Sequence, residues 1–290
     1  MKEFSEITHI FYAAYQNYPA FSKEQITVNT SMLEHIVRAV EETSSSFEHV
    51  TLMQGVKVYG VHLGEFITPA KEDDTRHMPP NFYYTQEDFL RTHQKRKAWN
   101  WTILRPDIIA GIAINNPMNM MSVLGVYAAI SKELGLPLRF PGKKKTYESL
   151  AQMTDAFLLA RGSVWAATTP SAAGEVFNIT NGGLFRWKYI WPKIAAFFEM
   201  DYEEPQELSL TEIMPLQEKI WEQLIGKYAL RDIPYEQSAG WSFGDFIFKC
   251  EYDVISDTNK IKEFGFTEVI STEKMLLDLF VKMKNEKLLP

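Results

Sequence analysis

The sequence holds a single cysteine, Cys250, in 290 residues. An intrachain disulfide and a cysteine-based metal cluster are therefore excluded, and Cys250 reads as a small packing residue. Positive charge is in deficit: 30 Lys and Arg stand against 37 Asp and Glu, a formal net charge of −7. Nucleic-acid binding needs clustered cations against phosphates, so no nucleic-acid partner is expected. The densest basic run, Lys143-Lys144-Lys145, reads as a solvated turn. No window approaches the roughly 18 apolar residues of a membrane helix, and the early acids and His9 interrupt any signal-peptide core. A reducing, cytoplasmic location is the simplest expectation. His62, His77 and His93 lack metal-ligand spacing, so no metal site is expected, and Glu72-Asp73-Asp74 reads as solvated loop. Also absent are a nucleophile elbow G-x-S-x-G and the phosphate-cradling G-x-G-x-x-G or G-x-x-G-x-x-G.

What is abundant is apolar: 46% of the residues are hydrophobic, enough for one large domain or two unequal ones. Ile7 to Tyr15 is β-branched and aromatic without clean alternation, as in a strand buried on both faces of a parallel sheet. Ser31-Met32-Leu33-Glu34 has the form of a capping box, followed by an apolar stripe through Met32, Leu33, Ile36, Val37 and Val40. His49 to Met53 is a second strand. The opening is thus a strand–helix–strand unit with a right-handed crossover. Gln86 to Lys97 reads as an exposed helix, Trp101 to Leu104 as a third strand, and Val176 to Ile179 as a later one.

From Asn115 onward the pattern turns helical. Helices are expected at Met118 to Leu134, with Gly135 as terminator, at Glu148 to Trp165, at Leu216 to Leu230, at Asp257 to Phe264 and at Thr272 to Asn285. Phe185 to Met200 contains Pro192, which should kink or divide it. The fold class expected is α/β: an incomplete Rossmann-like parallel sheet, without its N-terminal strands, carrying a mainly helical C-terminal cap. Residues 1–112 and a strand near 176–180 form the first part. Residues 113–175 and 183–290 form the second.

Two local features carry chemistry. Gln54-Gly55-Val56-Lys57 follows a strand, where α/β sheets bind ligands. Asn81-Phe82-Tyr83-Tyr84-Thr85-Gln86-Glu87-Asp88 precedes a helix. A Tyr and a Lys across one crevice suit reduction, because a cation favours a strongly donating or ionised phenol and the phenol stabilises a developing oxyanion. Taken alone, the same residues also suit packing and a solvated loop.

Set in order along the chain, Thr8 to Ala14, Leu52 to Gly60, Asn81 to Asp88 and Leu104-Arg105-Pro106 form a recognisable set. Val126 to Ile130, Leu138 to Gly142, Phe177 to Gly182 and Phe243-Gly244-Asp245 complete it. Together they resemble the progesterone 5β-reductase/iridoid synthase-like (PRISE-like) atypical short-chain dehydrogenases/reductases. The resemblance implies NADPH-dependent 1,4-reduction of activated C=C bonds in small apolar enones and enals, with hydride added at the β-carbon. It implies Tyr83 as the catalytic tyrosine and Lys57 as its lysine. Four residues after Tyr83 stands Glu87, so the usual Y-x-x-x-K spacing is absent, as in the atypical subgroup. Cofactor contacts are implied at Ala13, Ala14, Gln54, Gly55, Lys57, Tyr83, Arg105, Pro106 and Ile108, and substrate contacts at Tyr84, Met118, Met121, Tyr127 and Phe243. A homodimer is compatible with the sequence.

Family members open with the Gly-rich strand–turn–helix, which this sequence lacks. The expectation is an N-terminally shortened form with a weakened cofactor anchor and an exposed parallel edge at Ile10 to Tyr15. An inactive ligand-binding remnant of the same fold and an epimerase/dehydratase-like enzyme are the alternatives. Each missing charge-assisted phosphate contact removes roughly 1.5–3 kcal/mol. Calorimetric titration of the 290-residue chain with NADPH should therefore give a Kd well above micromolar; a micromolar Kd contradicts this expectation.

Overall fold

The computed structural model describes residues 5–290; Met1–Phe4, the first residues of the N-terminal stretch considered above, lie outside the described residues. The chain divides into two units. The first comprises Met1–Asp107, Leu159–Ile179 and Ser256–Thr267, and the second Ile108–Leu158, Thr180–Ile255 and Glu268–Pro290. The division differs from the sequence expectation. Residues 159–175 and 256–267 join the sheet unit, because Trp165 and Phe264 place their rings 5.5 and 5.1 Å from Phe177 on a sheet strand.

The first unit is built on strands β1 (His9–Tyr12), β2 (His49–Met53), β3 (Asn100–Pro106) and the strand Val176–Ile179, all parallel and in that order. The expected strands were thus in place, with β1 shorter than Ile7 to Tyr15. Among the described residues β1 pairs only with β2, and Phe11 is half exposed on this edge. β2 is buried on both faces, which is why its pattern lacks alternation. Helices α1 (Lys23–Thr43) and α2 (Phe82–His93) supply Leu33, Val37, Val40 and Leu90 to a core shared with Ile10, Val50, Leu52 and Ile103.

Helix α1 starts eight residues before Ser31, so Ser31 to Glu34 is helix interior and not a capping box. The true cap is Ser22, whose Oγ accepts the Gln25 N–H at 3.0 Å. The buried stripe is Gln25, Asn29, Leu33, Val37 and Val40. Its first two members are polar because they serve the loop after β1. Asn29 Oδ1 accepts the Gln16 N–H and Asn29 Nδ2 donates to the Gln16 carbonyl, both at 2.9 Å, while Gln25 Oε1 accepts the Tyr18 N–H. Helix α2 likewise begins four residues before the expected Gln86, and it is not the exposed helix the sequence suggested: Phe82, Tyr84, Gln86, Glu87 and Leu90 are buried.

In the second unit, helix α3 (Met120–Glu133) is buried from Met120 through Ser131. Asn119 Oδ1 caps it by accepting the Met121 N–H at 2.9 Å, and Gly135 follows it with a left-handed φ of +68°. Aromatic rings fill the core: Phe140 meets Trp191 and Phe248 edge-on at centroid distances of 5.1 and 4.9 Å. The helix Trp187–Phe197 runs through Pro192 undivided. The carbonyl that proline leaves unbonded belongs to Lys188, an exposed residue, which water can serve.

Residues 148–165 do not form one helix. Leu150–Ala151 pairs with Phe185–Arg186, Thr154–Asp155 pairs with Ile109–Ala110, and the helix Ala156–Thr168 starts only after Asp155, whose Oδ1 accepts the Leu158 N–H at 2.8 Å. The helix Thr272–Asn285 spans the expected residues. The helices Glu218–Tyr228 and Asn259–Glu263 are shorter than their apolar patterns. No helix among the described residues is long and apolar enough to cross a membrane.

Leu33 has no solvent exposure. Leu33→Ala should cost about 3 kcal/mol of unfolding free energy, measured by urea denaturation, through lost transfer energy and the cavity left behind. A loss below about 1 kcal/mol would show that α1 does not pack as described.

Candidate active site

The site grows from the carboxyl ends of β2 and β3. Immediately after β2 stand Gln54 and Gly55, then a short 3-10 turn, Val56–Tyr59, that carries Lys57. Immediately before α2 stands Asn81, the residue that holds the two segments together. Its Oδ1 accepts the Tyr83 N–H at 3.0 Å, capping the helix, and its Nδ2 donates to the Lys57 carbonyl at 3.0 Å. Gln54 grips the next peptide of the same turn: its Nε2 donates to the Tyr83 carbonyl at 2.9 Å. The backbones of Tyr83 and Lys57 are therefore fixed on one frame.

The Tyr83 side chain is half-buried, and its hydroxyl lies over Gly55. A Cβ built at position 55 would stand 3.6 Å from Tyr83 Oη and 3.5 Å from the Pro106 carbonyl oxygen. Glycine leaves that space open, beside the ends of both strands. Burial, and then the neighbouring Tyr15, push the Tyr83 pKa above its ordinary value of 10.0. The phenol is accordingly a neutral hydrogen-bond donor at physiological pH; of the two forms the sequence allowed, donating or ionised, the structure favours the first. Tyr15, which sequence reasoning passed over, follows β1 and packs against Phe82 at 5.6 Å. Burial lowers the Lys57 pKa.

Arg105 was expected to meet the cofactor. Its guanidinium is instead committed inside the protein. Nε donates to Gln54 Oε1 at 3.1 Å, Nη1 to Tyr59 Oη and the Glu72 carbonyl at 3.1 Å each, and Nη2 to Glu87 Oε2 at 3.0 Å. Gln54 is engaged at both ends of its amide. These two residues are therefore struts under Tyr83. Tyr59 passes the frame on to Asn178, donating to its Oδ1 at 2.6 Å, and Asn178 in turn donates to the carbonyls of Ala70 and Asp257.

Arg105 and Glu87 are each only 6% exposed, and Glu87 also meets Arg91 at 2.8 Å and Arg76 at 3.5 Å. So the position one turn beyond Tyr83, lysine in the ordinary spacing, holds a carboxylate neutralised by three guanidinia. Burial alone would raise its pKa, but Arg105, Arg91 and Arg76 hold it below the usual 4.5.

The other residues singled out from the sequence fall in three groups. Ala13 and Ala14 are exposed directly after β1, and Pro106 ends β3, all at the carboxyl edge of the sheet. Tyr84, expected on the substrate, is buried instead, because its hydroxyl donates to the Val58 carbonyl at 2.7 Å. Met121, Tyr127 and Ile108 are side chains of the second unit's core, and the Tyr127 hydroxyl donates to the Arg139 carbonyl at 2.9 Å. Met118 is exposed, while Phe243 is partly buried against that core. A cavity of about 300 Å³ flanks the start of α2, lined by Ile26, His77, Pro80 and Tyr84 among others, and includes neither Tyr83 nor Lys57.

Because Glu87 has a depressed pKa when folded, its stabilisation is present above the unfolded value of 4.5 and is lost as pH falls below it. Glu87→Gln should lower unfolding free energy at pH 7 by about 3–5 kcal/mol, since Arg105 is left buried without its anion. Urea denaturation at pH 7 and near pH 3.5 should show the deficit shrinking at the acid end; an equal deficit at both would contradict the ion-pair account.

Comparison with known proteins shows the family and the fold. The model of the PRISE-like Rossmann-fold domain matches residues 1–290. The 3-oxo-Delta(4,5)-steroid 5-beta-reductase of Arabidopsis thaliana is 36% identical over 99% of this chain and 76% of its own length. The (S)-8-oxocitronellyl enol synthase CYC2 of Camptotheca acuminata is 35% identical over the same shares. Among solved structures, a short-chain dehydrogenase/reductase superfamily protein from Agrobacterium tumefaciens with bound NAD superposes with a TM-score of 0.65 at 15% identity, covering 98% of this chain and 81% of that one. RMD from Pseudomonas aeruginosa, complexed with NADPH, gives 0.64 at 12% identity, covering 94% and 80%. The two units, the parallel sheet and the Tyr83 frame thus belong to a PRISE-like Rossmann-fold protein, an oxidoreductase of the atypical short-chain dehydrogenase/reductase type.

Proposed function

We propose that this chain is an NADPH-dependent reductase of activated C=C bonds in small apolar enones and enals, working in the cytoplasm. The observation that carries the reading is the Tyr83 hydroxyl, lodged above Gly55 at the ends of β2 and β3 while Gln54 and Asn81 fix its backbone from both sides. Relatives named for reduction of a steroid and for synthesis of an enol support the chemistry.

The residues present suit the nicotinamide end of a dinucleotide. Gly55 leaves a floor that a Cβ would fill, beside the Pro106 carbonyl, and Ala13 and Ala14 follow the neighbouring strand with small exposed side chains. Ala13, Ala14, Gly55 and Pro106 would hold the cofactor there. NADPH, when bound, supplies the hydride that reaches the β-carbon of the substrate. Tyr83 donates its O–H to the carbonyl oxygen. As the C=C bond is reduced, charge gathers on that oxygen, and a donor already aimed and partly desolvated stabilises the enolate more than the ground state. Because burial keeps the phenol protonated, Tyr83 holds the oxygen by a hydrogen bond and takes no proton from the substrate. Lys57, on the turn that Asn81 ties to the Tyr83 peptide, would supply positive charge to the site, and solvent protonates the α-carbon. An epimerase-like reading asks for a cation one turn after the tyrosine, and Glu87 stands there.

Tyr83→Phe should reduce kcat/KM for cyclohexenone at millimolar NADPH at least about tenfold through loss of oxyanion stabilisation. Between pH 6 and 9 the wild-type rate should show no step from ionisation of Tyr83. Unchanged turnover in the variant would remove the phenol from the mechanism.

A further inference from the structure

One bulky residue near this site adopts a backbone conformation that side chains resist. Phe21 has φ of +63°, in the left-handed region, in the loop between β1 and α1. For an aromatic residue this is a true outlier, and such strain persists where the surroundings enforce it, commonly at ligand clamps. The surroundings are explicit here. Asn29 and Gln25 pin the preceding loop, and Ser22, the next residue, caps α1 while its own N–H bonds the Pro19 carbonyl at 3.1 Å. The strain does not serve core packing, because Phe21 is 51% exposed.

The ring instead begins a row. Phe21 stacks on His62 at 5.5 Å and 29°, and His62 meets the edge of His77 at 5.4 Å. His77 Nε2 lies 3.3 Å from the Lys57 carbonyl oxygen. The row therefore runs along the same turn that carries Lys57. Leu63, next in the chain, is also exposed. Burial, the Lys57 charge and His77 together hold the His62 pKa down to about 4, so its imidazole is neutral under physiological conditions. The result is a partly exposed π surface built from three separate segments, with the His62 ring at its centre neutral.

We propose that Phe21 and His62 form a stacking shelf that selects the substrate: neutral carbonyl compounds whose C=C bond is conjugated onward to a flat aryl or polyene group, in preference to small enones without one. This rests on the reductase reading and extends it. Tyr83 recognises the carbonyl oxygen, and the shelf recognises what is conjugated to the far end of the double bond. A flat π system can offset-stack on the exposed Phe21 ring, which His62 backs from behind, whereas a small saturated ring gains little from it.

Saturation-transfer NMR of the full chain with benzylideneacetone and with cyclohexenone tests this. Phe21→Gly removes the ring and relieves the left-handed strain, so its melting temperature should match or exceed the wild type. His62→Ala removes the ring that backs Phe21 and leaves Phe21 itself in the chain. In both variants the Kd of benzylideneacetone should rise roughly threefold to tenfold, the range of one lost aromatic pair, while that of cyclohexenone changes less than about twofold. An unchanged benzylideneacetone Kd in either folded variant, or no binding to the wild type, overturns the shelf. Tyr83→Phe, assayed alongside for NADPH oxidation, keeps the two ideas apart. A wild-type chain that binds through the shelf but shows no Tyr83-dependent turnover defeats the reductase reading alone.

Discussion

One buried guanidinium organises the first unit. Arg105, at the end of β3, reaches α2 through Glu87, the turn after β2 through Gln54 and Tyr59, and the segment between that turn and α2 through the Glu72 carbonyl. A cation this deep is tolerated only when its donors are satisfied and its charge is balanced. Those demands explain why so many segments converge here. The convergence also sets the position of Tyr83, because Gln54 receives from Arg105 on one side and donates to the Tyr83 peptide on the other. The phenol is thus aimed by a network made for a charge it never touches.

The same burial decides the chemistry available. A tyrosine whose pKa is raised cannot serve as an ionised base near neutral pH, but it is a good donor to an oxygen that gains charge. The usual lysine position one turn on is filled by Glu87, which is drawn into the Arg105 network and cannot lower the phenol's pKa. Reduction that leaves charge on a carbonyl oxygen matches such a site better than proton abstraction from an alcohol.

Much of the scaffold was legible in the sequence because apolar pattern decided it. β2, the strand Val176–Ile179 and the helix Thr272–Asn285 fall where their hydrophobic residues place them. The pattern misled where buried residues are polar. The first turns of α1 are anchored by Gln25 and Asn29, and α2 buries Gln86 and Glu87, so both helices looked shorter or more exposed than they are. Within the site, Tyr83 and Gly55 were legible from a strand end and a helix start. The role of Arg105 was not, because its partners Glu72, Glu87 and Tyr59 lie in other segments and no local spacing joins them. Likewise Tyr84 looked like a neighbour of the reacting groups, and only its bond to the Val58 carbonyl shows that it faces inward.

The central claim is that the Tyr83 hydroxyl meets the substrate's carbonyl oxygen. A crystal structure of the chain with NADPH and cyclohexenone tests it most directly. The account places the enone oxygen about 2.5–3.0 Å from Tyr83 Oη, in the space above Gly55. An enone ordered in the crystal with its oxygen directed at any other donor would contradict it.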